Sequence, residues 1–226
     1  MTGQTISALI FDLDGTLVDS LPDLAEAMNE LMAENGLAAH AQAAVGAMVG
    51  NGVTLLVQRA FSAHGIAMDG EALERQVARY LDLYEPRSAR LTRFFPHVEG
   101  IVQALRGQYA LGVCTNKPTG PARQILEDLG FSGVFGAVVG GDSGVPRKPE
   151  GDMIMLTAER LGVPLSEAVM IGDSPADVKS AQAAGIRSIA VRYGYTVIPA
   201  DELGADAVVD DFREIPRLLE IWQSRS

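Results

Sequence analysis

The first apolar run of the chain predicts a buried strand that ends in charged residues. Ala8-Leu9-Ile10-Phe11 contains no polar side chain and is followed at once by Asp12. A short apolar run that closes on acidic residues and glycine is typical of a parallel strand covered on both faces. We therefore predict a strand at residues 8–11, and we expect the residues after it to lie at the carboxyl end of a sheet.

The next segment of the chain, roughly 70 residues long, carries only helical patterns. A helix is predicted to begin at Ser20, whose hydroxyl can cap it, and to stop at Asn35-Gly36. Two more apolar faces recur at helical spacing, at residues 53–61 and 73–84. Between about residues 20 and 88 no segment has the period-two alternation of a half-buried strand.

Strand and helix patterns alternate from about residue 97 onward, which indicates a parallel sheet with helices on both faces. We expect an α/β fold, a doubly wound parallel sheet with a Rossmann-like core formed by residues 1–18 and 89–226, and a helical cap inserted at 19–88. The predicted strands are 110–114, 137–139, 168–171, 188–191 and 207–209, and the predicted helices lie near 97–107, 121–129, 152–161, 176–184 and around Leu218 and Trp222.

The charge balance argues against large anionic partners. Lysine and arginine total 18 and aspartate and glutamate total 29 among 226 residues, so the net charge is −11. Nucleic acids and anionic membranes are bound by basic patches, and neither partner is expected. A small anionic substrate would need only two or three local cations.

The same composition predicts a cytoplasmic protein. The first basic side chain is that of Arg59, whereas secretory and mitochondrial leaders need positive charge near their start. The longest apolar runs are far shorter than the ~20 residues that span a bilayer. The one cysteine, Cys114, excludes an intrachain disulfide and a thiolate metal cluster, and we expect it to be a core residue.

Polar side chains gather where four predicted strands end. In open α/β sheets, ligands bind beyond the carboxyl ends of the strands, so these groups are expected to form one site. They are Asp12 and Asp14 after the first strand, Thr115-Asn116-Lys117 after the strand 110–114, Lys148 after the loop that follows 137–139, and Gly172-Asp173-Ser174 after 168–171, with Asp177 beyond.

The carboxylates in this set suit a hard divalent cation. Asp12 and Asp14 alternate and so lie on one side of an extended backbone, where two carboxylates repel unless a cation or a proton intervenes. With Asp173 as a third carboxylate the expected ion is Mg²⁺, and zinc is not expected because no cysteine or histidine cluster is near in sequence. A carboxylate beside such an ion can attack phosphorus, while Lys148 and Thr115 contact phosphoryl oxygens.

The same segments resemble the four motifs of the haloacid dehalogenase-like phosphohydrolases, and the insertion resembles their first type of helical cap. The matching segments are 12–20 (DLDGTLVDS), Thr115-Asn116, Lys148-Pro149 and 172–177 (GDSPAD). Within that family the chain resembles the bacterial phosphoglycolate phosphatases at 19–25 (DSLPDLA), 49–52 (VGNG), 138–143 (VVGGDS) and 193–195 (YGY). One departure is Gly151, which follows Glu150 where the family usually has a second proline.

The resemblance implies a Mg²⁺-dependent phosphatase acting on a small phosphorylated metabolite. Asp12 resembles the nucleophile that forms an aspartyl-phosphate, and Asp14 resembles the general acid that protonates the leaving oxygen and then activates water. The resemblance also implies roles for the remaining motif residues: Thr115, Asn116 and Lys148 hold phosphoryl oxygens, and the metal is held by the Asp12 carboxylate, the Asp14 backbone carbonyl and Asp173, with Asp177 acting directly or through water.

Two alternatives stay open at this point. Phosphomutases of the β-phosphoglucomutase type share the Asp14 position, whereas a dehalogenase needs no acid there. A non-catalytic phospho-accepting module is disfavoured by the inserted cap and by Asp14. The substrate is not fixed by the core motifs, and a monomer and a homodimer are both compatible with the sequence.

The cap is expected to contact the rest of the substrate. A short phospho-acid carries a carboxylate, and Gly50, Asn51 and Gly52 can offer backbone N–H groups and an amide to it. Arg59 follows two helical turns later. The alternative is a simple turn between helices with a solvated Arg59.

Overall fold

The computed structural model describes residues 5–224 and is built around a parallel sheet of six strands. The strands are β1 (Ala8–Phe11), β2 (Val18–Asp19), β3 (Arg93–Phe94), β4 (Ala110–Cys114), β5 (Ala137–Val139), β6 (Ala168–Gly172), β7 (Arg187–Val191) and β8 (Ala207–Val209). The order in the large sheet is β5-β4-β1-β6-β7-β8, and β2 and β3 form a separate antiparallel pair. The chain therefore winds outward from β1 in both directions, which confirms the doubly wound fold.

The register of β1 brings three strand ends to one level. Phe11 is paired with Val113 of β4 on one side and with Ile171 of β6 on the other. Because all three strands run parallel, the residues that follow them emerge side by side at the same edge of the sheet. The segments that begin at Asp12, Thr115 and Asp173 are therefore neighbours in space.

Helices α5 to α9 cover both faces of the sheet, as expected. The helices of the described residues are α1 (Leu21–Glu34), α2 (Gln42–Gly46), α3 (Val53–Ser62), α4 (Gly70–Tyr84), α5 (Val98–Leu105), α6 (Thr119–Asp128), α7 (Asp152–Leu161), α8 (Pro175–Ala184) and α9 (Ile215–Ser224). Alternate residues of β1 point to opposite faces. Leu9 and Phe11 pack with α5, α6 and α9, and Ile10 packs with α7 and with Cys114, which is fully buried in the core as predicted. No helix within residues 5–224 is both long and apolar enough to cross a bilayer.

Helices α1 to α4 bury a hydrophobic core of their own. Met28 and Leu31 of α1 pack with Val57 and Phe61 of α3 and with Tyr80 of α4. The predicted helices in this region are present, and the short α2 was not predicted. The division of the chain at residues 18–19 and 88–89 stays a prediction.

The prediction that the Ser20 side chain caps α1 was wrong. Ser20 precedes α1 with φ −95° and ψ −1°, and its side chain makes no capping hydrogen bond. Its hydroxyl instead donates to Asp14 Oδ1 at 2.5 Å. The backbone N–H groups of Ser20 and Leu21 donate to the hydroxyl oxygen of Tyr195, at 2.7 and 3.1 Å, so a distant tyrosine takes the capping role.

The chain passes between the sheet and helices α1–α4 through β2 and β3, two short strands that were not predicted. Val18 pairs with Phe94 and Asp19 with Arg93, so the outgoing and returning segments lie side by side. Asp23, buried in the first turn of α1, accepts hydrogen bonds from the backbone N–H of Thr92 at 2.7 Å and from its hydroxyl at 2.8 Å. These bonds fix the start of α1 to the returning segment.

Candidate active site

The predicted core residues meet at the carboxyl edge of the sheet, and most are buried. Only 6% of Asp12, 4% of Lys148 and 3% of Asp173 is exposed. Thr115 and Asp177 are buried beside them. A cluster of charged groups this far from water needs internal partners, because an unpaired buried charge is costly.

Lys148 is the cation at the centre of this cluster. Its ammonium lies 2.9 Å from Asp12 Oδ1 and 2.6 Å from Asp177 Oδ1, and it donates to the carbonyl of Cys114 at 2.8 Å. Burial disfavours the charged lysine, but the neighbouring Asp12 and Asp177 carboxylates outweigh it and raise the pKa of Lys148 above its ordinary value. The side chain is therefore a fixed positive charge beside Asp12.

Asp12 is held by a single cation. Its Oδ1 lies 2.9 Å from the ammonium of Lys148, and no other side chain of the described residues donates to that oxygen. Burial raises the pKa of Asp12 to about 6, with the charges of Asp177 and Asp14 adding to the rise and that of Lys148 opposing it. A buried carboxylate that has one ammonium beside it keeps lone pairs for a metal ion or for attack on an electrophile.

Three carboxylates of the site are close enough to share a metal ion. Asp12, Asp173 and Asp177 each offer an oxygen within 4.8 Å of the others. Burial, with the charges of Asp177 and Asp12, raises the pKa of Asp173 well above its usual range. Lys148 pairs with two of these three buried carboxylates, those of Asp12 and Asp177. The oxygen donors and the excess negative charge of the three fit a hard divalent cation such as Mg²⁺.

Asp173 is oriented by contacts from two loops. Its Oδ1 accepts from the hydroxyl of Thr16 at 3.2 Å, and its Oδ2 accepts from the backbone N–H of Tyr195 at 2.8 Å. Gly194 packs directly on it, since a Cβ atom at that position would lie 2.1 Å from Asp173 Cβ. The segment 193–195 therefore shapes the predicted metal site.

Asp177 is engaged through both of its oxygens. Oδ1 receives the hydrogen bond from Lys148, and Oδ2 receives 3.0 and 2.6 Å bonds from the backbone N–H and the hydroxyl of Ser174. The bond from the Ser174 N–H is half of a capping box at the start of α8, so Asp177 caps this helix and contacts Lys148 at the same time.

Asp14 is paired with Lys117, which the sequence places at the same edge of the sheet but to which no role was assigned. The ammonium of Lys117 donates to Asp14 Oδ2 at 2.9 Å and to Oδ1 at 3.1 Å, and Ser20 donates to Oδ1. Lys117 is 8% exposed and also lies 4.7 Å from the centre of the Tyr84 ring. Lys117 lies three residues beyond the end of β4, the strand next to β1. That position was the signal that could have predicted its pairing with Asp14.

The backbone near Asp12 offers two hydrogen-bond donors. Within residues 5–224, the N–H groups of Leu13 and Asn116 donate to no protein acceptor. The Asn116 side chain donates to the carbonyls of Gly50, at 2.9 Å, and Lys148, at 3.0 Å, so it ties the loop before α3 to the sheet. The hydroxyl of Thr115 accepts from the N–H of Lys117 at 3.2 Å. Two free N–H groups beside a carboxylate suit an oxyanion.

The predicted cap residues line a neighbouring cavity of about 190 Å³. Gly50, Asn51 and Arg59 face Asp14 and Asp173 across it. The Arg59 guanidinium donates to the carbonyl of Met48 and to Asn51 Oδ1, both at 2.8 Å. Arg59 thus braces its own loop, and its contact with a substrate stays a prediction.

A family model, two relatives and one solved structure all match most of this chain. A family model described as haloacid dehalogenase-like hydrolase matches residues 9–191. A phosphoglycolate phosphatase of Rhodospirillum rubrum is 45% identical over 213 residues, covering 92% of this chain and 88% of the relative. A phosphoglycolate phosphatase of Caulobacter vibrioides is 38% identical over 218 residues, covering 96% and 91%. The crystal structure of a predicted phosphoglycolate phosphatase from Haemophilus somnus superposes with a TM-score of 0.88 at 30% identity, covering 94% and 97%.

Proposed function

The chain belongs to the haloacid dehalogenase-like hydrolases and is a phosphoric monoester hydrolase, and we propose that it hydrolyses 2-phosphoglycolate with Mg²⁺ through an aspartyl-phosphate on Asp12. The observation that carries the mechanism is the Asp12 carboxylate, buried at the edge of the sheet with its Oδ1 2.9 Å from the Lys148 ammonium. The substrate is proposed from the names of the relatives in Rhodospirillum and Caulobacter and of the Haemophilus structure.

In the first step, an oxygen of Asp12 attacks phosphorus and the ester bond to the leaving oxygen breaks. Lys148, the Thr115 hydroxyl and the free N–H groups of Leu13 and Asn116 stabilise the phosphoryl oxygens as charge develops on them. Asp14 protonates the leaving oxygen, which gives a neutral alcohol. In the second step Asp14 takes a proton from water, which attacks the acyl phosphate and frees Asp12.

Asp12, Asp173 and the backbone carbonyl of Asp14 would hold Mg²⁺. The ion would reduce the repulsion between the negatively charged phosphoryl group and the surrounding carboxylates. Both oxygens of Asp177 already accept hydrogen bonds, which favours support of the ion through water over direct ligation. Asp177 would then act mainly by holding Lys148 in place.

We propose that helices α1–α4, within the predicted boundaries 19–88, form a cap over this centre. Gly50, Asn51 and Arg59 would contact the substrate from the cap side, and the bond from Asn116 to Gly50 would close the loop onto the sheet. Closure would exclude water from the first step, when a free water molecule would compete with Asp12.

Phosphate release from 2-phosphoglycolate and from p-nitrophenyl phosphate, with and without Mg²⁺, tests the proposal. Asp12→Asn should abolish turnover of both esters and trap no acid-stable phosphate on the protein, because a lost covalent nucleophile costs many orders of magnitude. Asp82→Asn, at an exposed position on α4, is the matched control. More than about a tenth of wild-type turnover in Asp12→Asn would contradict the nucleophile assignment.

A further inference from the structure

A second cavity, of about 60 Å³, lies between helices α1, α3 and α4 and the catalytic edge of the sheet. Its walls are mostly apolar and include Leu24, Val53, Leu56, Leu81, Pro118 and Pro121. Its polar end is formed by Asp12, Asp14 and Lys117. The cavity therefore extends from the proposed nucleophile towards the cap, where the organic part of a bound ester would lie.

Lys117 supplies the positive charge of this cavity. Among the described residues that line it, Lys117 is the one cation, since Lys148 and Arg59 are not part of its lining. Its only carboxylate partner within residues 5–224 is Asp14, and its ammonium has three protons to donate. The two oxygens of Asp14 engage two of these protons, so one remains for an anion in the cavity.

Tyr84 adds a hydroxyl that has no partner. Its ring lines the same cavity, only 2% of the residue is exposed, and its hydroxyl forms no hydrogen bond with any residue of the described chain. Burial, with the charges of Asp14 and Asp23, raises the pKa of Tyr84 well above its usual value, so the hydroxyl keeps its proton. An unpaired buried donor is costly, and an acceptor in the cavity would satisfy it.

We propose that Lys117 and Tyr84 form the subsite that binds the carboxylate of a short phospho-acid. This inference rests on the proposed function, because it places the second anionic group of the substrate. The ammonium of Lys117 and the hydroxyl of Tyr84 both donate, whereas the apolar walls leave the intervening carbon without polar contacts. The apolar surroundings strengthen the pairing of the carboxylate with Lys117, because water does not screen it.

The distances suit an acid with two carbons. A general acid must approach the leaving oxygen to about 2.6–3.2 Å. Lys117 Nζ lies 2.9 Å from the Asp14 carboxylate, so it would be within roughly 6 Å of that oxygen. The carboxylate of a two-carbon phospho-acid is attached one carbon away from the same oxygen, within reach of this ammonium.

Arg59 is the competing candidate for this contact. It lines the other cavity, and its guanidinium is engaged by Met48 and Asn51. Moving it to a substrate would break the bonds that brace its loop. Lys117 needs no such movement, because its ammonium already borders the cavity.

The test compares 2-phosphoglycolate with ethyl phosphate, which has a similar size and no carboxylate. The readout is the ratio of kcat/KM for the two esters, so a general effect of Lys117 on Asp14 cancels. Lys117→Met should lower the ratio about 10- to 100-fold, as expected for a lost bond to a charged group, and Tyr84→Phe about three- to tenfold. Lys117→Arg should restore part of the loss. Lys179→Met, at an exposed position on α8, is the matched control and should leave the ratio at the wild-type value.

Equilibrium binding of the same two compounds to the Mg²⁺-loaded Asp12→Asn protein separates the two proposals. If neither ester is turned over but Lys117→Met still weakens phosphoglycolate binding selectively, the proposed function fails and the subsite stands. If both esters are turned over and Lys117→Met changes the ratio of their kcat/KM values by no more than about threefold, the subsite is overturned and the function stands. A selective loss with Arg59→Met in place of Lys117→Met would assign the carboxylate to Arg59 instead.

Discussion

Lys148 and Asp177 form a 2.6 Å ion pair in which both side chains are 1% exposed. The pair joins the loop after β5 to the start of α8, and it holds the ammonium where Asp12 also reaches it. A buried ion pair contributes little net stability, but removal of one partner is costly because the other charge stays buried. Positioning of the ammonium is therefore the main consequence of the pair.

Lys148→Met should lower the free energy of unfolding of the metal-free protein by about 3–5 kcal/mol, because it leaves the buried carboxylates of Asp12 and Asp177 without their cation. Urea titration measures the change, with Lys179→Met as the control, which should stay within about 0.5 kcal/mol of wild type. Equal free energies of unfolding for Lys148→Met and Lys179→Met would show that the buried negative charge of the carboxylates is compensated without Lys148.

Asp14→Asn should separate binding from proton transfer. The variant should still bind Mg²⁺ and substrate, while turnover of an alkyl phosphate falls at least ~100-fold, the usual scale for a lost general acid–base group. The loss should be smaller for p-nitrophenyl phosphate, whose leaving group needs less protonation. Single-turnover kinetics with both esters checks this, and equal losses would remove Asp14 from the acid role.

Stability should depend on pH and Mg²⁺ together. The pKa of Asp12 is raised to about 6 in the fold, and that of Asp173 is raised as well. Between the usual carboxyl pKa and a pH of about 6, the folded metal-free protein therefore binds more protons than the unfolded chain. Its free energy of unfolding is then higher at low pH and falls as the pH rises through about 6.

Mg²⁺ competes with those protons. We expect the increase in Tm on adding Mg²⁺ to be larger at pH 8 than at pH 5.5, as measured by calorimetry with Ca²⁺-free buffers. Asp173→Asn should reduce the increase at pH 8. An increase in Tm that is the same at both pH values would contradict metal binding by these carboxylates.

Gly194→Ala should weaken Mg²⁺ binding without changing the nucleophile. The added Cβ would lie 2.1 Å from Asp173 Cβ, so the carboxylate must move. Residues that orient a metal ligand typically contribute 10–100-fold to affinity, and a loss of about tenfold or more is expected in a Mg²⁺ titration of activity. Gly107→Ala meets no atom within 4 Å and serves as the control. Unchanged Mg²⁺ affinity in Gly194→Ala would show that Asp173 does not ligate the ion.

The sequence predicted the sheet because its strands are long enough to carry an apolar pattern. The run Ala8–Phe11 and the later strands β4, β6 and β7 each bury four or five consecutive residues, and their limits agree with the predicted ones to within one residue. Strands β2 and β3 have two residues each, which is too short for alternation to be visible. The five-residue α2 has too few turns to show a helical face.

The sequence predicted which residues of the site lie close together where each follows a strand of the sheet. It did not predict contacts that depend on the direction of a long side chain or on a residue from a distant loop. The acidic residues after β1 and β6 meet because those strands are adjacent. Lys117 and Asp14 also follow adjacent strands, but their pairing depends on which way a flexible lysine extends, and strand position does not decide that. The Ser20 prediction failed for a similar reason, because Tyr195, 175 positions away, competes for the helix start.

The β2–β3 pair gives the helical segment a single narrow stem. Because Val18 and Phe94 are paired, the two ends of the segment leave the sheet at one point, and the register of β1 does not depend on what lies between them. A segment of different length or sequence can be grafted onto the same stem with little added loop-closure entropy. Specificity can thus diversify in the grafted part while the phosphoryl-transfer chemistry is inherited unchanged.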